Sequence, residues 1–142
     1  ALENVDFSKS LSGLKVLLVE DNELNMEIAK SILENAGLEV TSAKDGKEAV
    51  GIFEESREHY FDLILMDIMM PVMDGLTAAK TIRAMKRQEA KTIPIFAMTS
   101  NAFLDDKKQS KEAGMNEHLS KPLDEKKLMN TLEEDTIINI EF

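Results

Sequence analysis

The 142-residue chain reads as an α/β protein, a parallel sheet with helices on both faces. Three observations predict it. Short apolar runs such as "KVLLV", "DLILM" and "PIFAM" recur along the chain, as buried strands do. Between them lie longer stretches whose apolar residues repeat at helical spacing. Glycine, proline or Asp-Gly punctuates the junctions, so the two periods alternate instead of mixing.

Taken in chain order, Lys15–Val19 is a β-branched apolar run and is predicted as the first strand. From Glu23 to Ala36, the sets Leu24, Ile28, Ile32 and Ala29, Leu33, Ala36 repeat helically, and Gly37 ends the helix. "LEVTSA" (38–43) supplies the second strand, and Asp45-Gly46 turns into a helix with Ala49, Val50 and Phe53 inward. "FDLILM" (61–66) is the third strand, and a helix over 76–87 carries Ala79, Ile82 and Met85. "PIFAM" (94–98) is the fourth strand, followed by a weaker, polar helix over 105–113. "EHLS" (117–120) is a short fifth strand, and a last helix over 124–133 presents Leu128, Met129 and Leu132. Connections of this kind are right-handed βαβ units. One domain is expected over 14–134, with 1–13 as an N-terminal flank and 135–142 as a C-terminal tail.

Composition narrows the function. Hydrophobic residues make up 43% and charged residues 31%, the balance of a folded soluble chain. No apolar run is long enough to span a bilayer, and the first residues do not resemble a signal peptide. With no cysteine, disulfides, thiolate metal sites and cysteine nucleophiles are excluded, which suits a cytoplasmic chain. A net charge of -10 argues against direct nucleic-acid binding, whose affinity comes from clustered Lys and Arg. Such a chain suits cations better.

The residues just past each strand carry the chemistry. After "VLLV" stand Glu20 and Asp21; after "LILM", Asp67; after "IFAM", Thr99, Ser100 and Asn101; after "HLS", Lys121 and Pro122. In an open parallel sheet the strand C-termini share one edge, where ligands bind at the switch point. Three carboxylates, a hydroxyl and an ammonium therefore converge. Two like charges about 4 Å apart repel by roughly 4 kcal/mol at an effective dielectric near 20. Lys121 offsets one acid, and a hard divalent cation with oxygen ligands offsets the rest. Acids, metal, hydroxyl and lysine together suggest phosphoryl transfer with a carboxylate nucleophile, and Asp67, central and alone on its strand end, is the best choice.

Each residue also has a plainer role to weigh. An acid after a strand is most often a helix cap, and Asp74-Gly75 is read that way and left out of the site. Asn22 caps the first helix in the same reading. Thr99 alone is a strand-end hydroxyl, Lys121 alone a surface lysine, and Met70 and Met73 ordinary packing. Their coincidence at several strand ends is what separates the two readings.

The stretches "VLLVEDN", "LILMDIMMPVMDG", "IFAMTSNA" and "GMNEHLSKPL", in this order and spacing, resemble the response-regulator receiver domain of two-component phosphorelays. The resemblance covers about 14–132. It implies a (βα)5, flavodoxin-like three-layer sandwich with sheet order 2-1-3-4-5. It also implies that Asp67 accepts a phosphoryl group from a phosphohistidine, with Thr99 and Lys121 on the phosphoryl oxygens. By the same resemblance Mg²⁺, for which Mn²⁺ can substitute, is held by Asp21, Asp67 and the Met69 carbonyl, with Glu20 acting through water. Ile68, Met69 and Ser100 then line the phosphoryl and metal site, and Pro122 follows a cis peptide bond. Met69 and Asn101 sit where the family's side chains rim the path of hydrolytic water.

"VEDNELNMEIAKSILENAG" with "GMNEHLSKPL" is most similar to receivers attached to hybrid sensor histidine kinases. The implied partner is a histidine kinase or a histidine phosphotransfer domain. The domain promotes only its own phosphorylation and dephosphorylation, and acts as a monomer or weak dimer. Its parent is either a cytoplasmic or a membrane-anchored kinase. The alternatives are a stand-alone regulator, or a receiver-like interaction module that takes no phosphate. A phosphohydrolase with an aspartyl nucleophile would need a second acid where Met69 stands. His118 departs from the family, which often has Tyr or Phe there, so a standard aromatic switch is not expected.

Overall fold

The computed structural model describes residues 12–100, 104–121 and 123–132. Strands β1 (Lys15–Val19), β2 (Glu39–Ala43), β3 (Leu63–Asp67), β4 (Ile95–Thr99) and β5 (Glu117–Ser120) form one parallel sheet. Its order is β2-β1-β3-β4-β5. Helices α1 (Glu23–Asn35), α2 (Gly46–Glu55), α3 (Gly75–Arg83), α4 (Leu104–Glu112) and α5 (Glu125–Leu132) alternate with the strands. None of the helices among the described residues is long and apolar enough to cross a membrane.

Strand alternation decides which helix packs where. Leu17, Val19, Ile64, Met66, Ile95 and Ala97 face one layer, against Ala49 and Phe53 of α2 and Ala78, Ala79 and Ile82 of α3. Their neighbours Val16, Leu18, Leu63, Leu65, Phe96 and Met98 face the other, against Ala29 and Leu33 of α1 and Leu128 and Leu132 of α5. The central strands are thus apolar on both faces, which is why they read as unbroken runs. Because α1 carries the chain outward from β1 to β2 and α2 brings it back to β3, right-handed crossovers place them on opposite faces. The order reverses between β1 and β3, and the crevice at the C-terminal ends of those strands is the natural ligand site.

Local chemistry sets the boundaries. Asn22, Asp45 and Asp74 cap α1, α2 and α3, each accepting a backbone N–H from three residues on, at 2.9, 2.8 and 2.8 Å. After α1, Gly37 takes φ 92, and Leu38 N–H donates back to the Leu33 carbonyl at 3.1 Å, a turn that needs the left-handed conformation.

Three sequence expectations are corrected. The third helix ends at Arg83, short of 87: Lys91 Nζ donates to the Arg83 and Met85 carbonyls at 2.7 and 3.0 Å. Those oxygens are thereby committed to a side chain, and Gln88–Lys91 forms a separate 3-10 turn. The third strand starts at Leu63 and includes Asp67; just before it, Asp62 N–H donates to the Lys15 carbonyl at 2.8 Å, and the Asp62 carboxylate takes the Lys15 N–H at 2.8 Å in place of a backbone carbonyl. On α1, Leu24 and Ile28 are 66% and 40% exposed, so only part of the apolar repeat faces the core. The remaining ends differ by a residue or so.

Candidate active site at the strand ends

Register brings the site together. Val19 pairs with Met66, Asp67 with Met98, and Thr99 with Ser120, so these strands finish level and the residues beyond them share one edge. Asp67 is 2% exposed and Glu20 3%, while Asp21 is open to solvent. One carboxylate oxygen from each of Glu20, Asp21 and Asp67 lies within 4.8 Å of the others.

Lys121 reaches across from the end of β5. Its Nζ donates to Asp67 Oδ2 at 2.9 Å and to Glu20 Oε2 at 3.0 Å. The other Asp67 oxygen, Oδ1, accepts the Met69 N–H at 3.3 Å, and Glu20 Oε1 accepts the Asn22 N–H at 3.2 Å. Three acids against one ammonium leave a local excess of negative charge. Burial pushes the Asp67 carboxyl up to about 6; the Lys121 hydrogen bond pulls it down, and the Glu20 charge adds to the rise. For Lys121, burial works to lower the pKa, but hydrogen bonds to Asp67 and Glu20 outweigh it and the net shift is upward. The lysine therefore stays charged. Clustered carboxylate oxygens of this kind fit a small hard cation, which takes one or two carboxylates and keeps several waters.

The backbone around Asp67 is fixed from several sides. Ile68 N–H donates to the Met98 carbonyl at 3.0 Å, and Gly75 N–H to the Ile68 carbonyl at 2.8 Å. A Cβ on Gly75 would lie 2.1 Å from the Asp67 carbonyl oxygen, so only glycine lets α3 start this close to the strand end. The loop between them is held too. Met73 N–H donates to the Pro71 carbonyl at 2.8 Å, closing a turn around Val72, whose φ of 69 is strained for a β-branched residue. Gly46 N–H donates to the Met73 carbonyl at 3.1 Å and ties the loop to α2.

Of the residues singled out from sequence, Glu20, Asp21, Asp67 and Lys121 meet within ion-pair or ligand reach. Thr99 is buried at the end of β4, and its carbonyl accepts the Lys121 N–H at 2.8 Å. Ser100 is exposed just beyond it, Ile68 is half-buried, and Met69 is 76% exposed. His118 lies on β5 opposite Ala97 and is half-buried. Asn101 and Pro122 lie outside the described residues. Sequence reasoning missed the supporting roles of Gly75 and Gly46; only the Asp-Gly pairs signalled them.

The response regulator receiver domain family matches residues 16–133. Hybrid signal transduction histidine kinase I of Dictyostelium discoideum is 39% identical over 120 residues, which are 83% of this chain and 7% of that protein. The chain thus spans a small part of that relative. Among solved structures, the receiver domain of sensor histidine kinase PA1611 from Pseudomonas aeruginosa PAO1 aligns with TM-score 0.78 and 38% identity. The alignment covers 87% of this chain and 98% of that one, and that structure has a magnesium ion coordinated in its active site cleft. A co-crystal structure joins the Saccharomyces cerevisiae phosphotransfer protein Ypd1 to the receiver domain of its downstream response regulator Ssk1. A chain of it aligns with TM-score 0.80 and 32% identity, covering 90% of this chain and 92% of that one. With the five-stranded fold and the acid-lysine cluster at its strand ends, the match over most of its length makes this chain a member of the response regulator receiver domain family.

Proposed function

We propose that Asp67 is the phosphoryl acceptor of a two-component phosphorelay, with a phosphohistidine as donor. A carboxylate oxygen of Asp67 forms the new O–P bond as the N–P bond of the donor breaks, and the electron pair of that bond returns to the imidazole nitrogen. The observation that carries this is the pairing of a buried carboxylate with Lys121 at 2.9 Å at the strand edge. Lys121 holds an ammonium where negative charge accumulates, and Thr99 adds a hydroxyl beside it. Asp21, Asp67 and the Met69 carbonyl are the ligands we assign to Mg²⁺, with Glu20 acting through water and Ile68, Met69 and Ser100 bordering the same pocket. When bound, the ion supplies charge neutralisation for the phosphoryl oxygens.

The setting we favour is a hybrid histidine kinase, supported by the 39% identity to such a kinase. The partner is then a histidine-bearing helix bundle that docks at the active-site edge. Exposed Leu24 and Ile28 on α1 give it an apolar landing beside the acids. We assign the whole of 14–134 to this domain.

Label transfer tests the reading. Radiolabelled acetyl phosphate with Mg²⁺ should give an alkali-labile adduct on the wild type, none on Asp67→Asn, and none in excess EDTA. Undiminished labelling of Asp67→Asn would overturn the assignment and direct attention to Asp62 and Asp74.

A further inference from the structure

We propose that the Met69 thioether is a redox modification site, oxidised by peroxides, that shortens the life of a phosphoryl group on Asp67. The proposal rests on the reading of Asp67 as phosphoryl acceptor. Its first observation is selectivity. All nine methionines fall among the described residues. Met66, Met98 and Met115 are buried; Met26, Met70, Met73, Met85 and Met129 are half-buried against the core. Met69 is 76% exposed and stands apart. Oxidation of methionine follows access to the sulfur, so this one reacts first.

The second observation is position. Met69 N–H donates to Asp67 Oδ1 at 3.3 Å, so its side chain departs from the backbone unit that touches the acceptor carboxylate. It borders an open cleft of about 430 Å³ with Ile68, Met70, Pro71, Asp74 and Leu76. The loop backbone is pinned by the Met73–Pro71, Gly46–Met73 and Gly75–Ile68 hydrogen bonds, so the Met69 backbone is held beside the site and its thioether stays within side-chain reach of Asp67.

The chemistry balances. A sulfur lone pair attacks one peroxide oxygen, the O–O bond breaks, and the other oxygen leaves as water once protonated. Sulfur is oxidised by two electrons and the peroxide reduced by two. The product replaces an apolar thioether with a sulfoxide oxygen, a hydrogen-bond acceptor. Hydrolysis of an acyl phosphate needs water at phosphorus. An apolar rim keeps that water unordered, whereas a sulfoxide oxygen accepts its hydrogen bond and holds it. Methionine sulfoxide reductases reverse the change, so the site resets.

The test uses the whole chain with hydrogen peroxide as oxidant. Peptide mapping should find the added oxygen on Met69 before any other methionine. The oxidised chain, labelled from acetyl phosphate with Mg²⁺, should lose label about two- to tenfold faster than the untreated chain, the range one net hydrogen bond to water gives. Reductase treatment should restore the slower loss, and Met69→Leu should show the same loss with and without peroxide. Earlier oxidation of another methionine, an unchanged lifetime in the oxidised wild type, or a peroxide response that persists in Met69→Leu would each overturn the proposal. A chain that maps to Met69 yet takes no label when untreated would overturn the phosphoacceptor reading, and the lifetime claim with it.

Discussion

Asp67 is a carboxylate in a place that disfavours its charge: 2% exposed, beside Glu20, and relieved by Lys121 at 2.9 Å. Burial raises its pKa from 3.8 to about 6, so the folded chain binds its proton more tightly than the unfolded chain does. That difference fixes the sign of the pH dependence. Stability without metal falls as pH rises from about 4 to about 6, and above that the full cost of the buried charge is present. Asp67→Asn removes that cost while Lys121 keeps Glu20 as partner at 3.0 Å. In EDTA at pH 7 the variant should therefore be more stable than wild type, by the order of 1–3 kcal/mol, in urea unfolding. The advantage should shrink toward pH 4. A variant that is less stable at pH 7 would mean that the Lys121 pairing outweighs desolvation. The same stored cost has a functional sense: a divalent cation at this edge relieves repulsion that the fold has already accepted.

Elements position the site through close approaches, and the tightest is α3 on β3. With a Cβ at Gly75 placed 2.1 Å from the Asp67 carbonyl oxygen, Gly75→Ala must push the helix start away. We expect a loss of roughly 1–3 kcal/mol in denaturant unfolding, with slower phosphorylation because Asp67 moves with its backbone. A second joint lies at the opposite end of the sheet. Arg87 pairs with buried Glu89 at 2.7 Å and donates to the Phe53 and Arg57 carbonyls at 2.6 and 2.8 Å, stapling the end of α2 to the turn before β4. The Arg87 hydrogen bond holds the Glu89 carboxyl below its usual range against the effect of burial. Arg87→Ala should cost about 3 kcal/mol at pH 7, since it leaves a buried acid without its counter-charge, with the His59 N–H as a remaining partner. Because the depressed pKa contributes stability above the usual carboxylate range and loses it as pH falls, that cost should narrow in acid. Both joints bear on what the sequence shows in advance. Alternating apolar runs revealed the strands, their order of appearance and the acids at their ends, because burial on both faces leaves a local signature. Lys91 capping the Arg83 carbonyl and Asp62 capping the start of β1 left none, since a long-range hydrogen bond has no period. The end of α3 shifted accordingly. The convergence of Glu20, Asp67 and Lys121 was legible only through topology, as their side chains meet across strands distant in sequence.

At the scale of the molecule, charge and apolar exposure are arranged differently around the one edge. The chain carries -10 overall, and its acid cluster is open on the side of Asp21. Beside it, the large apolar side chains left exposed are Leu24 and Ile28 on α1 and Met69 and Val72 on the loop after β3, among the described residues. Leu24 and Ile28 are four residues apart and so lie on one helix face. Helical packing against the sheet uses Ala29 and Leu33 and leaves that other face unused. In the proposed relay a protein donor brings its phosphohistidine to Asp67, and the acidic rim offers it no apolar surface, so the exposed face of α1 is the part suited to supply docking energy. A small donor needs no such contact. Leu24→Asp with Ile28→Asp should therefore slow phosphoryl transfer from a phosphorylated histidine phosphotransfer domain by about tenfold or more, while labelling from acetyl phosphate stays at the wild-type rate. Both rates come from the same quenched-flow assay. Equal slowing with the two donors would show that α1 acts on the chemistry of the site, and unchanged transfer from the domain would place the docking face elsewhere on the molecule.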